Sequence, residues 1–170
     1  SIVSRLKEDQ FTATAIHPFD TSMYKRRDNY ANLGFDAFYY DETMIHTDKI
    51  GNNSYISDQA AYDEVLYHMA ESMGFDFVHL VTMQNHTPYT DKYDETPSWK
   101  QTGYKDERIN QYFQDLIYTD AAMEGFFQEL EDFDEHTIVV FWGDHWPNVF
   151  GEDMRDRLGE ELFYQTPVYI

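Results

Sequence analysis

"IVVFWGDHWP", Ile138–Pro147, governs how the rest of the chain is read. Its first half is apolar and favours β structure, with Ile138, Val139, Val140, Phe141 and Trp142 in succession. Gly143 then frees the backbone, Asp144 and His145 stand side by side, and Pro147 stops any continuation of a ladder. An unbroken apolar run of this kind is the signature of a strand covered on both faces, as in a parallel sheet. Here it delivers a carboxylate and an imidazole at its far end.

Outward from that strand, strand-like and helix-like segments alternate. "TATAIHP" reads as a short strand ending at Pro18, "FDAFYY" (35–40) as a peripheral one and "FDFVHLVTM" (75–83) as a third. From Ser57, a good N-cap, a helix with Ala61, Val65, Met69 and Met73 on one face runs to Gly74. The longest helix is expected over about 106–133, with Ile109, Tyr112, Phe113, Leu116, Ile117, Met123, Phe127 and Leu130 near helical spacing. The strand "HTIVVFWGDH" follows, then a short acidic helix over about 152–162 and a last strand, "TPVYI". Such alternation predicts a three-layer α/β/α sandwich with a mostly parallel sheet. No repeat, low-complexity tract or long linker divides the 170 residues.

Composition narrows the function. Hydrophobic residues make up 42 % and aromatics 18 %, enough for a packed core. With 12 Lys+Arg against 32 Asp+Glu, the net charge is −20, which repels nucleic-acid phosphates and argues against a nucleic-acid partner. The absence of cysteine removes disulfides, thiolate metal sites and thiol nucleophiles. No apolar run reaches the roughly 18 residues of a membrane span, and no signal peptide is visible. Ser1 opens into what reads as mid-helix and "TPVYI" stops on a strand, so the chain reads as an excised segment.

In open α/β sheets ligands bind beyond the carboxyl ends of the strands. Applied here, that rule selects His17 after the first strand, His86 in "QNHTPY" after the third, and Asp144 with His145 after the fourth. His46, His68, His79 and His136 have no partner in view and read as ordinary hydrogen-bonding residues. "YKRRD" is a rare basic patch; one of its arginines could clamp a phosphate with two parallel bonds. "ELEDFDE" reads as a solvated helix end and "GNNSY" as a turn.

Four stretches, "AIHPFDTSMYKRRDNYANLGFDAFYY", "HLVTMQNHTPY", "YFQDLIYTDAAMEGFFQEL" and "VVFWGDHWP", resemble in order and spacing the lipoteichoic acid synthase-like phosphoglycerol transferases of the sulfatase and alkaline-phosphatase superfamily. The resemblance covers essentially the whole chain. It implies an extracellular, membrane-anchored enzyme of the bacterial cell envelope whose nucleophilic Thr takes up glycerol phosphate from a lipid-linked donor. A divalent cation is implied, typically Mn2+, with Ca2+, Zn2+ and Mg2+ as alternatives, held by an upstream Glu, the Thr and an Asp-His pair. Asp144 and His145 match that pair, and His86 matches the phosphate-contacting, catalytic histidine. His17 matches a headgroup contact, Arg26 the substrate arginine and Tyr24 a substrate-side aromatic that is usually Trp. Arg27 takes the place of Arg26 if the loop slips by one.

Two departures follow. Phe19 stands where the synthase motif has an acidic residue, against glycerol specificity, and the Glu and the nucleophile fall before Ser1. The chain is thus expected to be a partial catalytic domain, 1–170, holding half of a metal site and inactive alone, with its membrane anchor upstream. Two other readings stand beside this one: a sulfatase acting on sulfate esters, and a non-catalytic domain binding cations or a partner.

Overall fold

In the computed structural model, which describes residues 1–133 and 135–170, the sheet is built outward from its central strand. β1 (Thr12–His17) lies between β2 (Ala37–Tyr40) and β3 (Asp76–Leu80), both parallel to it, giving the order β2-β1-β3. Ala13, Ala15 and Ile16 have no exposure at all. From Ala13 to His17 burial does not alternate, even though threonines alternate with alanines at the start of the strand: a strand with neighbours on both edges and layers on both faces has no solvent side.

Side chains on a strand alternate between faces. On one face Ile16 packs with Val65 and Met69 of α3 (Asp58–Glu71) and with Phe126 of α5 (Glu107–Glu131). The two helices meet there, with the rings of Tyr62 and Phe126 stacked 4.9 Å apart. On the other face Ala15 is in register with Phe38 and His79, and Tyr30 of α2 (Arg26–Leu33) closes over both rings, at 4.8 and 5.8 Å. The expected three layers are therefore present. α1 (Ile2–Glu8) leads into β1, and α4 (Trp99–Thr102) lies in the long loop before α5. Ser57 caps α3 as anticipated, accepting from the Ala60 amide at 3.1 Å, and the helix ends at Glu71, short of Gly74.

The strand expected over 136–145 is the principal correction. Only β4 (Phe141–Trp142) is extended in a ladder, and it pairs antiparallel with β5 (Val168–Tyr169) rather than joining the parallel sheet. Ile138 is 84 % exposed, and Val140 and Trp142 are each 47 % exposed. The cause is the sheet itself. β3 pairs only with β1, so its second edge is open among the described residues. Trp142 meets β3 by laying its indole against the His79 ring at 6.4 Å. An apolar run is buried only where a sheet accepts it.

Between α5 and the 135–141 segment there remains a groove of about 1000 Å3, lined by Leu116, Met123, Phe127, Val139 and Phe141 among others. The acidic helix expected over 152–162 is two short ones, α6 (Glu152–Leu158) and α7 (Glu160–Phe163), divided at Gly159 with φ +78°.

Candidate functional site

His17 is the last residue of β1 and 2 % exposed. Its Nδ1 lies 2.8 Å from the carbonyl oxygen of Val81, just past the end of β3, and an N–H there must be the donor. Nε2 is then left with its lone pair. Burial lowers the His17 pKa to about 4, and the charge of Arg26 pushes the same way, so the ring is neutral at physiological pH.

Arg26 opens α2 directly after two residues held at positive φ, Tyr24 at +59° and Lys25 at +48°. Its Nη1 donates to the Tyr30 hydroxyl at 3.2 Å, its guanidinium carbon stands 5.5 Å from the Tyr24 ring centre, and its Nε is buried with no partner among the described residues. Arg27 turns elsewhere, donating to the Tyr40 hydroxyl at 2.7 Å and lying over that ring. Of the two arginines in the basic patch, Arg26 is thus the one with an idle donor and with its charge at His17.

His86 sits on the turn after β3, where its amide bonds to the Met83 carbonyl at 3.0 Å. Its Nδ1 donates to the Thr87 carbonyl at 2.8 Å, and the Tyr55 hydroxyl donates to the same oxygen at 2.7 Å. A run of ring edges joins the two histidines: His17 to Phe19 at 6.3 Å, Phe19 to Tyr55 at 5.5 Å, Tyr55 to His86 at 5.6 Å. His17, Arg26 and His86 are thereby gathered beyond the carboxyl ends of adjacent strands.

Asp144 and His145 follow β4 with side chains 69 % and 65 % exposed, His145 Nε2 lying 3.8 Å from Asp144 Oδ1. Asp144 adds to the negative field around Tyr89, on the side of the loop that carries His86. No hydrogen bond, ion pair or ring contact ties either residue to His17 or His86 among the described residues. Nor does any group of three His, Cys, Asp or Glu side chains able to hold an ion occur among them.

Two polar clusters escaped sequence reasoning. Glu64, without exposure, accepts from the amides of Ile45 and His46, from His46 Nδ1 at 2.9 Å and from His68 Nε2 at 3.1 Å. Asp115, also without exposure, accepts from Lys92 Nζ at 2.7 Å and from the Tyr93 hydroxyl at 2.6 Å. The signal for both was a carboxylate set among the apolar positions of a helix. Burial pushes the Asp115 carboxyl up to about 6 and the Lys92 ammonium down. Lys92 nonetheless meets three acceptors, the carbonyls of Gln84 and His86 and the Asp115 carboxylate, and only an ammonium has three hydrogens to give.

Residues 1–167 match the family described as Sulfatase. Lipoteichoic acid synthase 1 of Bacillus subtilis is 27 % identical over 163 residues, 92 % of this chain and 25 % of that protein. Two solved structures share the fold. The lipoteichoic acid synthase LtaP of Listeria monocytogenes superposes with a TM-score of 0.79 at 24 % identity, over 99 % of this chain and 45 % of that one. The Streptococcus pyogenes phosphoglycerol transferase GacH, in complex with sn-glycerol-1-phosphate, superposes with a TM-score of 0.77 at 22 % identity, over 94 % of this chain and 43 % of that one. The chain spans about a quarter of the length of the curated relatives it matches.

Proposed function

The chain belongs to the sulfatase family, and from that premise we propose that it is the substrate-side portion, 1–170, of a metal-dependent phosphoglycerol transferase domain. The parent enzyme would draw glycerol phosphate from a lipid-linked donor at the extracellular face of a bacterial membrane, held there by an anchor outside these residues. Among the described residues no helix is long and apolar enough to cross a membrane.

The observation that carries the reading is the gathering of His17 and His86 beyond adjacent parallel strands, with the partnerless Nε of Arg26 beside them. Each suits a phosphate ester. Arg26 offers fixed charge to phosphoryl oxygens. His17, neutral and with Nε2 as an acceptor, would take a hydrogen bond from a headgroup hydroxyl without adding charge. His86, whose Nδ1 is occupied, would hold or move a proton at Nε2 beside the leaving oxygen. Tyr24, exposed over Arg26, would cover the headgroup.

Asp144 and His145 would hold the cation. A carboxylate beside an imidazole fits a borderline divalent ion, Mn2+ or Zn2+, better than Ca2+ or Mg2+, which prefer oxygen-only sets. Two donors are fewer than such catalytic sites generally use, so the remaining ligands and the hydroxyl nucleophile would come from outside the chain. When bound, the ion supplies Lewis-acid polarisation and activates that hydroxyl.

Phe19 favours one other reading, a phosphate or sulfate ester hydrolase whose substrate is apolar next to the ester, because its ring fills the place between His17 and Tyr55. The test is to assay the polypeptide carrying this chain, with Mn2+, on a fluorescent lipid-linked glycerol phosphate and on an aryl sulfate. Turnover of the lipid, falling about 10²–10⁴-fold in His86→Ala with metal content unchanged, is expected. Turnover of the sulfate alone would replace the reading. Loss of metal in His86→Ala would make His86 a ligand.

A further inference from the structure

We propose that Lys92, neutralised by Asp115, is the positioning residue for His86, tying both ends of the Gln84–Asn85–His86 turn through its two carbonyls. The proposal rests on His86 acting on substrate as read above, and it concerns a residue to which that reading gives no part.

Lys92 is 3 % exposed. Its Nζ donates at 2.8 Å to the carbonyl of Gln84 and at 2.9 Å to that of His86, so one ammonium spans the turn that carries the imidazole. The third hydrogen goes to Asp115 Oδ2 at 2.7 Å. That carboxylate is in turn fixed on its other oxygen by Tyr93 at 2.6 Å. The turn is further tied to α5 and α3: the Gln84 side-chain amide donates to the Asp115 carbonyl at 3.2 Å, and its Oε1 accepts from the Asp58 amide at 3.0 Å.

The strap has its own abutment. The Lys92 carbonyl accepts from the Asn52 amide at 2.8 Å, and a Cβ on Gly51, at φ +57°, would come within 2.8 Å of that same oxygen. Only glycine lets the two loops close here. The π faces of Tyr55 and Tyr89 stand 5.7 and 5.2 Å from Nζ, so the charge is enclosed by groups that tolerate it.

Such a strap adds little to net stability, since desolvating an ion pair offsets most of its attraction. What it fixes is direction. With the backbone at 84–86 held, the Nδ1–H of His86 keeps its bond to Thr87, and the ring presents Nε2 in one orientation. A turn held by water alone would sample several.

The experiment uses Asp115→Asn and the double variant Lys92→Met with Asp115→Asn. The second removes both charges at nearly constant volume; the first keeps Lys92 and serves if the double variant does not fold. The readout is the nitrogen spectrum of the His86 ring in the folded chain, with kcat and KM of the polypeptide carrying it. A fixed Nδ1–H tautomer is expected in the parent and averaged ring signals in the variants. A kcat lowered about 10–100-fold, with KM nearly unchanged, should accompany the averaging. An unchanged tautomer signal overturns the positioning role whatever the activity does. Averaged signals with undiminished turnover leave the positioning intact and instead remove His86 from catalysis, so the two failures are told apart.

Discussion

The Nδ1–H of His17 is given to the carbonyl of Val81 across the end of the sheet, at 2.8 Å. The bond joins the last residue of β1 to the first turn after β3 and makes the histidine part of the sheet's edge as well as of the site. Its proton balance is therefore a stability term. The folded pKa is about 4 and the usual value 6.5, so between those limits the unfolded chain binds the proton first. The contribution is present above pH 6.5 and is lost as pH falls towards 4, by about 3 kcal/mol. Unfolding in urea at pH 7 and at pH 4.5 should show this loss, and His17→Asn, which keeps a donor for Val81, should flatten it. An equal slope in both proteins would sink the assignment.

Glu64 works in the opposite sense from a buried unpaired acid. Burial alone would raise its pKa, but the amides of Ile45 and His46 and the two imidazoles bring it below the usual glutamate range. Its contribution is complete above about pH 4.5 and fades as acid protonates it. Glu64→Gln should cost about 1.5–3 kcal/mol at pH 7, measured by thermal unfolding, and less at low pH.

The two arginines of the basic patch should separate cleanly. Arg26→Ala removes the idle donor beside His17 and should weaken binding of a phosphate ester about 10–100-fold. Arg27→Ala breaks only the Tyr40 contact and should leave KM nearly unchanged. The reverse order would mean that the loop is registered one residue later than described.

By itself the chain should not hold Mn2+ tightly. Calorimetric titration is expected to give only weak, salt-sensitive uptake by the acidic surface, the same in Asp144→Ala. One-to-one binding that depends on Asp144 would show that two donors suffice.

Much of this was legible in the residues. β1 and α3 were marked by composition and by the Ser57 cap, and the positions of His17 and His86 past the ends of β1 and β3 followed from the rule about carboxyl edges, whereas Asp144 and His145 follow a strand outside the parallel sheet. What failed was "IVVFW". Its letters describe an affinity for a sheet interior, but burial is a property of the neighbours, and here the segment pairs with β5 while the second edge of β3 stays open among the described residues. The Lys92–Asp115 strap was illegible for a related reason. A lysine in "TDKYD" looks solvated until a helix 23 residues later brings a carboxylate to it. His46 and His68 show no partner in the sequence, yet both bind Glu64.

The open side of β3 carries one more consequence. Among the described residues that edge has no strand partner, Trp142 lies against it through the His79 ring, and Ile138, Val140 and Trp142 are exposed in the segment that also walls the apolar groove along α5. A flank of that make-up is adhesive: it invites any extended peptide with alternating apolar residues, including a copy of itself. The chain handled alone should foul and precipitate as its concentration rises, even though a net charge of −20 would ordinarily keep it dispersed.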